Sequence, residues 1–203
     1  MLGRREKEHI RELASQIEEA AEQDEAIVQR YKDINALKVV KPTVAIYPPA
    51  NAIKILIPEK ELAMKPGIFR DLEYTFRLNL LQRRLFDADM PNIRTLYSGL
   101  CAHTTEWTEE YKTVRATVDG HSAAFEPCIL EYGDIHKLKQ PELVVDFEKT
   151  QEQYEMVQDA LGDILDVQPG SPFMCTHGWG ESMIDQFVEM RGLEQFYIDM
   201  IDA

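Results

Sequence analysis

The chain has 203 residues, 44% of them hydrophobic and 9% aromatic, enough for one sizeable core or for one domain and part of another. Its 22 basic residues against 36 acidic ones leave a net charge of −14, which argues against nucleic acid or an anionic membrane as main partner, since both reward basic patches. No apolar run approaches the ~20 residues of a membrane span, no apolar segment of a secretory signal follows the charged start, and the 3 cysteines are too scattered for a disulfide framework, so a cytoplasmic setting is expected.

From Arg4 to about Asn35 the pattern is helical. Ile10, Leu13, Ala14, Ile17 and Ala21 form one face, and Ile27 or Val28, Tyr31 and Ile34 resume it after a shift. In the next stretch "TVAIY" and "IKILI" are strand-like, but Pro48, Pro49 and Pro58 exclude a central ladder, leaving a short edge hairpin or a loop before a helix. "KPGIFRDLEYTFRLNLLQRRLF" reads as a helix that buries Phe69, Leu72, Phe76 and Leu80. Its Arg70, Arg77, Arg83 and Arg84 are candidates either for ligand binding or for pairing with surface carboxylates.

"NIRTLYSGL" predicts a short strand, and "EPCILEY" another around Cys128 to Leu130. Asp146 suits the N-cap of a helix over "FEKTQEQYEMVQDALGDIL", with Phe147, Tyr154, Val157, Leu161 and Ile164 buried. "ILDVQPGSPFMCTHGWG" reads as a strand and a Gly-containing loop. Gly192 then ends one helix and Leu193 opens another, whose stripe is Leu193, Phe196, Tyr197, Met200 and Ile201. This last helix lacks a stop signal and carries Asp199 and Asp202 where its dipole disfavours anions, so the segment reads as cut. The second half alternates strand, loop and helix as a parallel sheet with crossover helices requires.

No phosphate loop, HExxH, Gly-x-Ser-x-Gly or CxxC motif occurs. Cys-x-His occurs twice, at Cys101–His103 and Cys175–His177, each placed where a strand candidate runs out into a loop. Residues i and i+2 of an extended segment share a side, so a thiolate and an imidazole could reach one ion, and zinc accepts such ligands. The alternatives are pocket lining, together with the neighbouring Trp107 and Trp179, and plain packing. Glu126, Glu131 and Asp134 flank a Pro and a Gly and are candidates for acid/base work or for capping.

Three stretches together carry a resemblance: "NALKVVKPTVAIYPP" with "FRDLEYTFRLNLLQRRLF", "EPCILEYGDIHKLKQPELVVDFEKTQEQYEMVQDALGDILDVQ", and "MRGLEQFYIDMIDA". Their order and content resemble the uroporphyrinogen decarboxylase-like family over nearly the whole chain. The resemblance implies the N-terminal half of a (β/α)8 TIM-type barrel preceded by a helical arm, with residues 1–90 as arm and cap region and 91–203 as the first, truncated part of the barrel. It implies a parent enzyme of one of two kinds. Decarboxylases (lyases of porphyrin metabolism) bind uroporphyrinogen through an arginine-rich N-terminal loop, and "KPTVAIYPPANAIKI" has no Arg there. Corrinoid-linked methyltransferases carry zinc on a His-x-Cys pair and a distant Cys late in the barrel. The order here is Cys-x-His, so no zinc ligand is carried over.

The methyltransferase type is therefore expected, with a decarboxylase relative and a non-catalytic interaction module as alternatives. Zinc and a corrinoid are possible cofactors by that resemblance, and the metal candidates are Cys175 and His177. The partners expected are a small-molecule substrate and a corrinoid protein. Such a half-barrel is expected to be inactive alone and prone to self-association through open sheet edges. If the strands before the two Cys-x-His pairs are parallel, both pairs should border one mouth with Trp107 and Trp179.

Overall fold

The computed structural model describes residues 2–108, 112–114, 124–170 and 183–202. The chain is mixed helix and strand, dominated by helices, and every described strand is three residues long. It divides into two compact units: Met1–Leu100 with Phe147–Pro172, and Cys101–Asp146 with Phe173–Ala203. No described helix is long and apolar enough to cross a membrane.

The first unit opens with α1 (Arg4–Gln23) and α2 (Glu25–Asn35). The predicted stripe of α1 is buried at Ile10, Ala14, Ile17 and Ala21. What reads as one long helix breaks at Asp24, where the stripe shifts. The Asp24 side chain turns inward, accepting from Arg83 Nη2 at 3.0 Å and from the Asn92 backbone and side-chain nitrogens at 3.0 and 3.1 Å. Burial alone would raise this carboxyl, but the Asn92 and Arg83 hydrogen bonds outweigh it and hold it below its ordinary value.

Of the two readings of the next segment, an edge hairpin or a loop before a helix, the structure has the second: no strand is described there, and "IKILI" falls largely within a helix, α3 (Ala50–Leu56). Pro48 and Pro49 offer no N–H to a ladder, and Pro49, fixed at φ −65°, stands just before the first helical turn. The extended chain before it docks instead on residues 89–90. Asp89 N–H donates to Val44 O at 2.7 Å, and Val44 N–H to the Asp89 carboxylate at 3.0 Å.

Helix α4 (Ile68–Leu85) follows the prediction, burying Leu72 and Phe76, with Phe69 and Leu80 packed against the same core. Strand β1 (Thr95–Tyr97) pairs in parallel with β6 (Asp166–Gln168), in the register Leu96↔Val167. Helix α5 (Phe147–Leu161) leads directly into β6. Val157, Ala160, Leu161, Ile164, Leu165 and Val167 close the core against α1 and α4. Phe147, expected inside, is 76% exposed. Helix α1 meets the other end of α5, where Arg11 donates to Ala160 O at 2.8 Å and forks onto Asp163 at 2.7 Å through each terminal nitrogen.

The second unit corrects the expectation of parallel alternation. Strand β2 (Ala102–Thr104) pairs antiparallel with β5 (Leu143–Val145), and β3 (Lys112–Val114) antiparallel with β4 (Ala124–Glu126). Cys128 and Ile129, predicted as strand, are not laddered; both N–H groups donate at 2.9 Å to the carbonyl of Met190. Helices α6 (Met183–Arg191) and α7 (Leu193–Asp202) break at Gly192, as expected, where φ is +83°. The predicted stripe of α7 is largely uncovered, with Leu193, Tyr197, Met200 and Ile201 all exposed by more than half. Asp199, unfavourable to the dipole, is compensated by Arg191, whose Nε lies 2.6 Å away.

Candidate functional site

The carboxyl ends of β1 and β6 leave the sheet together. Ser98 N–H donates to Gln168 O at 3.0 Å and Gly99 N–H to Gly170 O at 2.8 Å. Gly99 and Gly170 have φ of +89° and +78°, a region that other residues enter only with strain, so both chains turn at the same place. Gln153 of α5 caps that turn by donating its amide to Ser98 O. Ser98 is fully buried, and its hydroxyl has no hydrogen-bond partner among the described residues. A buried orphan hydroxyl costs free energy and calls for an explanation. Neither motif nor periodicity singles out Ser98; its one signal in the sequence is a polar residue directly after an apolar strand and before Gly99.

Of the two Cys-x-His pairs only Cys101–His103 lies among the described residues, and its His103 is not on the expected loop. His103 is exposed within β2, opposite Val144, rather than on a loop between a strand and a helix. Cys101 is half-buried, and its carbonyl accepts from Asp146 N–H at 2.8 Å. Trp107 is half-buried, with its carbonyl accepting from Lys139 N–H at 2.7 Å. Cys175, His177 and Trp179 lie outside the described residues, as does the shared mouth they would border. No three His, Cys, Asp or Glu side chains converge as a metal set among the described residues. The Cys101–His103 pair supplies at most two donors, short of the three or four that zinc takes. The described donors therefore do not fit zinc.

Of the acid/base candidates, Glu126 and Glu131 are exposed. Asp134 accepts from the N–H groups of Glu131 and Leu130 at 2.9 Å each and from Lys137 at 3.1 Å. These bonds, Glu131's first, hold its carboxyl down at about 2, so it caps a turn and carries no proton at neutral pH.

Three of the four candidate arginines are engaged within the first unit. Arg70 donates to Met64 O at 2.8 Å and Glu59 O at 3.0 Å, Arg77 pairs with Glu73 at 2.9 Å, and Arg83 pairs with Asp24. They pair with carboxylates and carbonyls and do not gather as an anion site.

The first unit also holds a cleft of about 210 Å³ lined by Tyr31, Tyr47, Asn79, Gln82, Met90, Pro91 and Asn92. None of these residues is an Asp, Glu, Lys, Arg or His. Tyr31 is fixed by donating its hydroxyl to Asp89 O at 2.8 Å, and Met90 by accepting at sulfur from Ile46 N–H at 3.3 Å. Arg30 pairs with Asp89 behind them. The lining comes from four separate stretches, so no motif announces it.

Comparison with models of protein families, with curated proteins and with solved structures finds no match for this chain.

Proposed function

We propose that the chain carries the opening part of a β/α-barrel enzyme of the uroporphyrinogen decarboxylase-like type, on the corrinoid-linked methyltransferase side of that family. The observation that carries the reading is the parallel pair β1–β6, with α5 running into β6 and both strands ending on positive-φ glycines beside the buried Ser98. That is the local geometry from which β/α enzymes build their sites, at the carboxyl ends of parallel strands. Residues 101–146 stand between β1 and α5 as an insertion in this unit.

Methyl transfer is preferred to tetrapyrrole decarboxylation because a polyanionic substrate needs unpaired cations. Residues 42–54 contain no Arg, and Arg70, Arg77 and Arg83 are paired internally. In this reading Ser98 borders the substrate, and Cys175, His177 and Trp179 follow β6 in the chain as further candidates. No chemical step is assigned to zinc or to a corrinoid.

Because the chain alone is expected to be inactive, the test reads binding: methylcobalamin and uroporphyrinogen are titrated into the protein in separate runs and followed by calorimetry. Saturable binding of methylcobalamin, with none of uroporphyrinogen, is expected. Binding of uroporphyrinogen instead would move the assignment to a decarboxylase, and binding of neither would remove it.

A non-catalytic reading is favoured by one feature, the exposed apolar residues of α6 and α7: Met183, Ile184, Phe187, Leu193, Tyr197, Met200 and Ile201. Uncovered apolar surface of this kind marks association sites or aggregation hazards. Light scattering over a concentration series tests it, and a monodisperse monomer at all concentrations would reject it.

A further inference from the structure

We infer that the cleft between α2, α4 and the extended chain before α3 binds a small, uncharged, planar heterocycle with an amide-like edge, of the size and chemistry of a nucleobase. Asn79 and Gln82 lie one helical turn apart on α4 and both line the cleft. Gln82 is 9% exposed, yet among the described residues neither side chain finds a hydrogen-bond partner. The amide of Gln82 is also not among the polar groups sealed from solvent without a partner, so what remains open of it opens on the cleft.

A third carboxamide stands beside them. Asn92 gives its N–H groups to Asp24, and its buried Oδ1 has no partner among the described residues. Of the three, only Asn92 Oδ1 is sealed from solvent, and a buried polar group left unpaired costs roughly 1–3 kcal/mol; the open carboxamides of Asn79 and Gln82 beside it offer donors and acceptors that a ligand in the hollow can use.

Its chemistry follows from the lining. Carboxamides both donate and accept, so they match an edge that alternates donor and acceptor, as nucleobases do. Tyr31 and Tyr47 supply rings against which a flat ligand can lie, and Met90 adds a soft, polarizable face. Asp24 is matched by Arg83 and Asp89 by Arg30, and no lining residue is an Asp, Glu, Lys, Arg or His, so the lining favours an uncharged ligand. A hollow of about 210 Å³ takes one ring system and no more. None of this depends on the barrel or on methyl transfer, and binding is read without turnover.

The probes are adenine and cytosine, with benzoate as a charged planar control and toluene as an apolar one, titrated into the full chain and followed by isothermal calorimetry. A ligand of about ten heavy atoms in such a hollow should bind with a dissociation constant of roughly 0.1–1 mM. One of the two bases should saturate, and neither control should. Asn79→Leu and Tyr47→Ala change side chains that are not in the buried core, and each should weaken the base at least ~10-fold, a loss of about 1.4 kcal/mol. Their thermal transitions should stay where the unsubstituted protein's is. The inference is overturned if neither base saturates, if a control binds as well, or if both variants bind like the unsubstituted protein.

Discussion

The carboxylate of Glu73 on α4 meets the imidazole Nε2 of His9 on α1 at 3.0 Å, in a position from which Glu73 is wholly excluded from water. A carboxylate only accepts, so the His9 nitrogen carries the proton. The same carboxylate accepts from the backbone N–H of Ala63 and Met64 at 3.0 and 2.8 Å and from Arg77 at 2.9 Å. One side chain thus ties α1, α4 and the loop before α4 together. Glu73→Leu would leave the N–H groups of Ala63 and buried Met64, and Arg77, without their acceptor. The expected loss is about 3–5 kcal/mol, as for removing one partner of a buried ion pair. Urea denaturation of the variant measures it, and a loss below about 1 kcal/mol would show the cluster to be replaceable by apolar packing.

Acid should loosen the first unit, and the direction follows from which way each carboxyl is moved. Burial pushes Glu73 up, but the Ala63 and Met64 N–H groups, His9 and Arg77 outweigh it and hold the group below its ordinary value. Asp24 is lowered likewise, and Asp163 is held at about 2, chiefly by Arg11. A carboxyl whose folded pKa lies below its unfolded one stabilises fully above the unfolded value and loses that contribution as pH falls through the folded one. Stability should therefore hold down to about pH 5 and fall progressively between the ordinary carboxyl range near 4 and about 2. Melting temperatures across pH 7 to 2 check this. A transition that fell instead on the alkaline side of pH 5 would show that these groups do not govern it.

The helices are legible from spacing alone wherever one face is apolar and long, as in α1, α4 and α5, and the break at Gly192 is legible from that residue. Three other features are not. "IKILI" is too short for its apolar run to separate helix from strand, and the prolines before it decide the matter by removing ladder donors. His103 reads like a loop residue because the strand that pairs with it, β5, lies some forty residues away and leaves no local mark. The polar interior is hidden as well. Glu73 and Gln82 occupy inward positions on α4, where composition and periodicity assign apolar residues. Their partners or neighbours (His9, Ala63, Tyr31, Asn92) come from distant stretches.

Ser98 offers a test that separates a functional group from a structural one. Its hydroxyl is buried and has no partner among the described residues, so Ser98→Ala removes none of the described hydrogen bonds and relieves an unsatisfied group. Stability should stay level or rise by up to about 1 kcal/mol. If Ser98 borders the substrate as proposed, methylcobalamin binding should weaken in the same variant. A stability loss above about 1 kcal/mol would mean that the hydroxyl has a partner in solution.

The turn that ends β1 makes a sharper demand than the one that ends β6. Gly99 sits at φ +89°, and a Cβ there would stand 2.9 Å from Nε2 of Gln153. That nitrogen is already committed to Ser98 O, so it cannot swing aside without breaking the cap on the turn. Gly170 has a similar φ of +78°, but a Cβ added there would meet nothing within 4 Å. Gly170→Ala should therefore cost only the backbone strain, about 1–2 kcal/mol. Gly99→Ala should cost that and the displaced cap as well, about 2–4 kcal/mol in all. Gly133→Ala, where φ is ordinary and the space open, serves as the control and should change stability by no more than about 0.5 kcal/mol. Chemical denaturation of the three variants gives the order, and equal losses at Gly99 and Gly170 would show that Gln153 does not hold the end of β1.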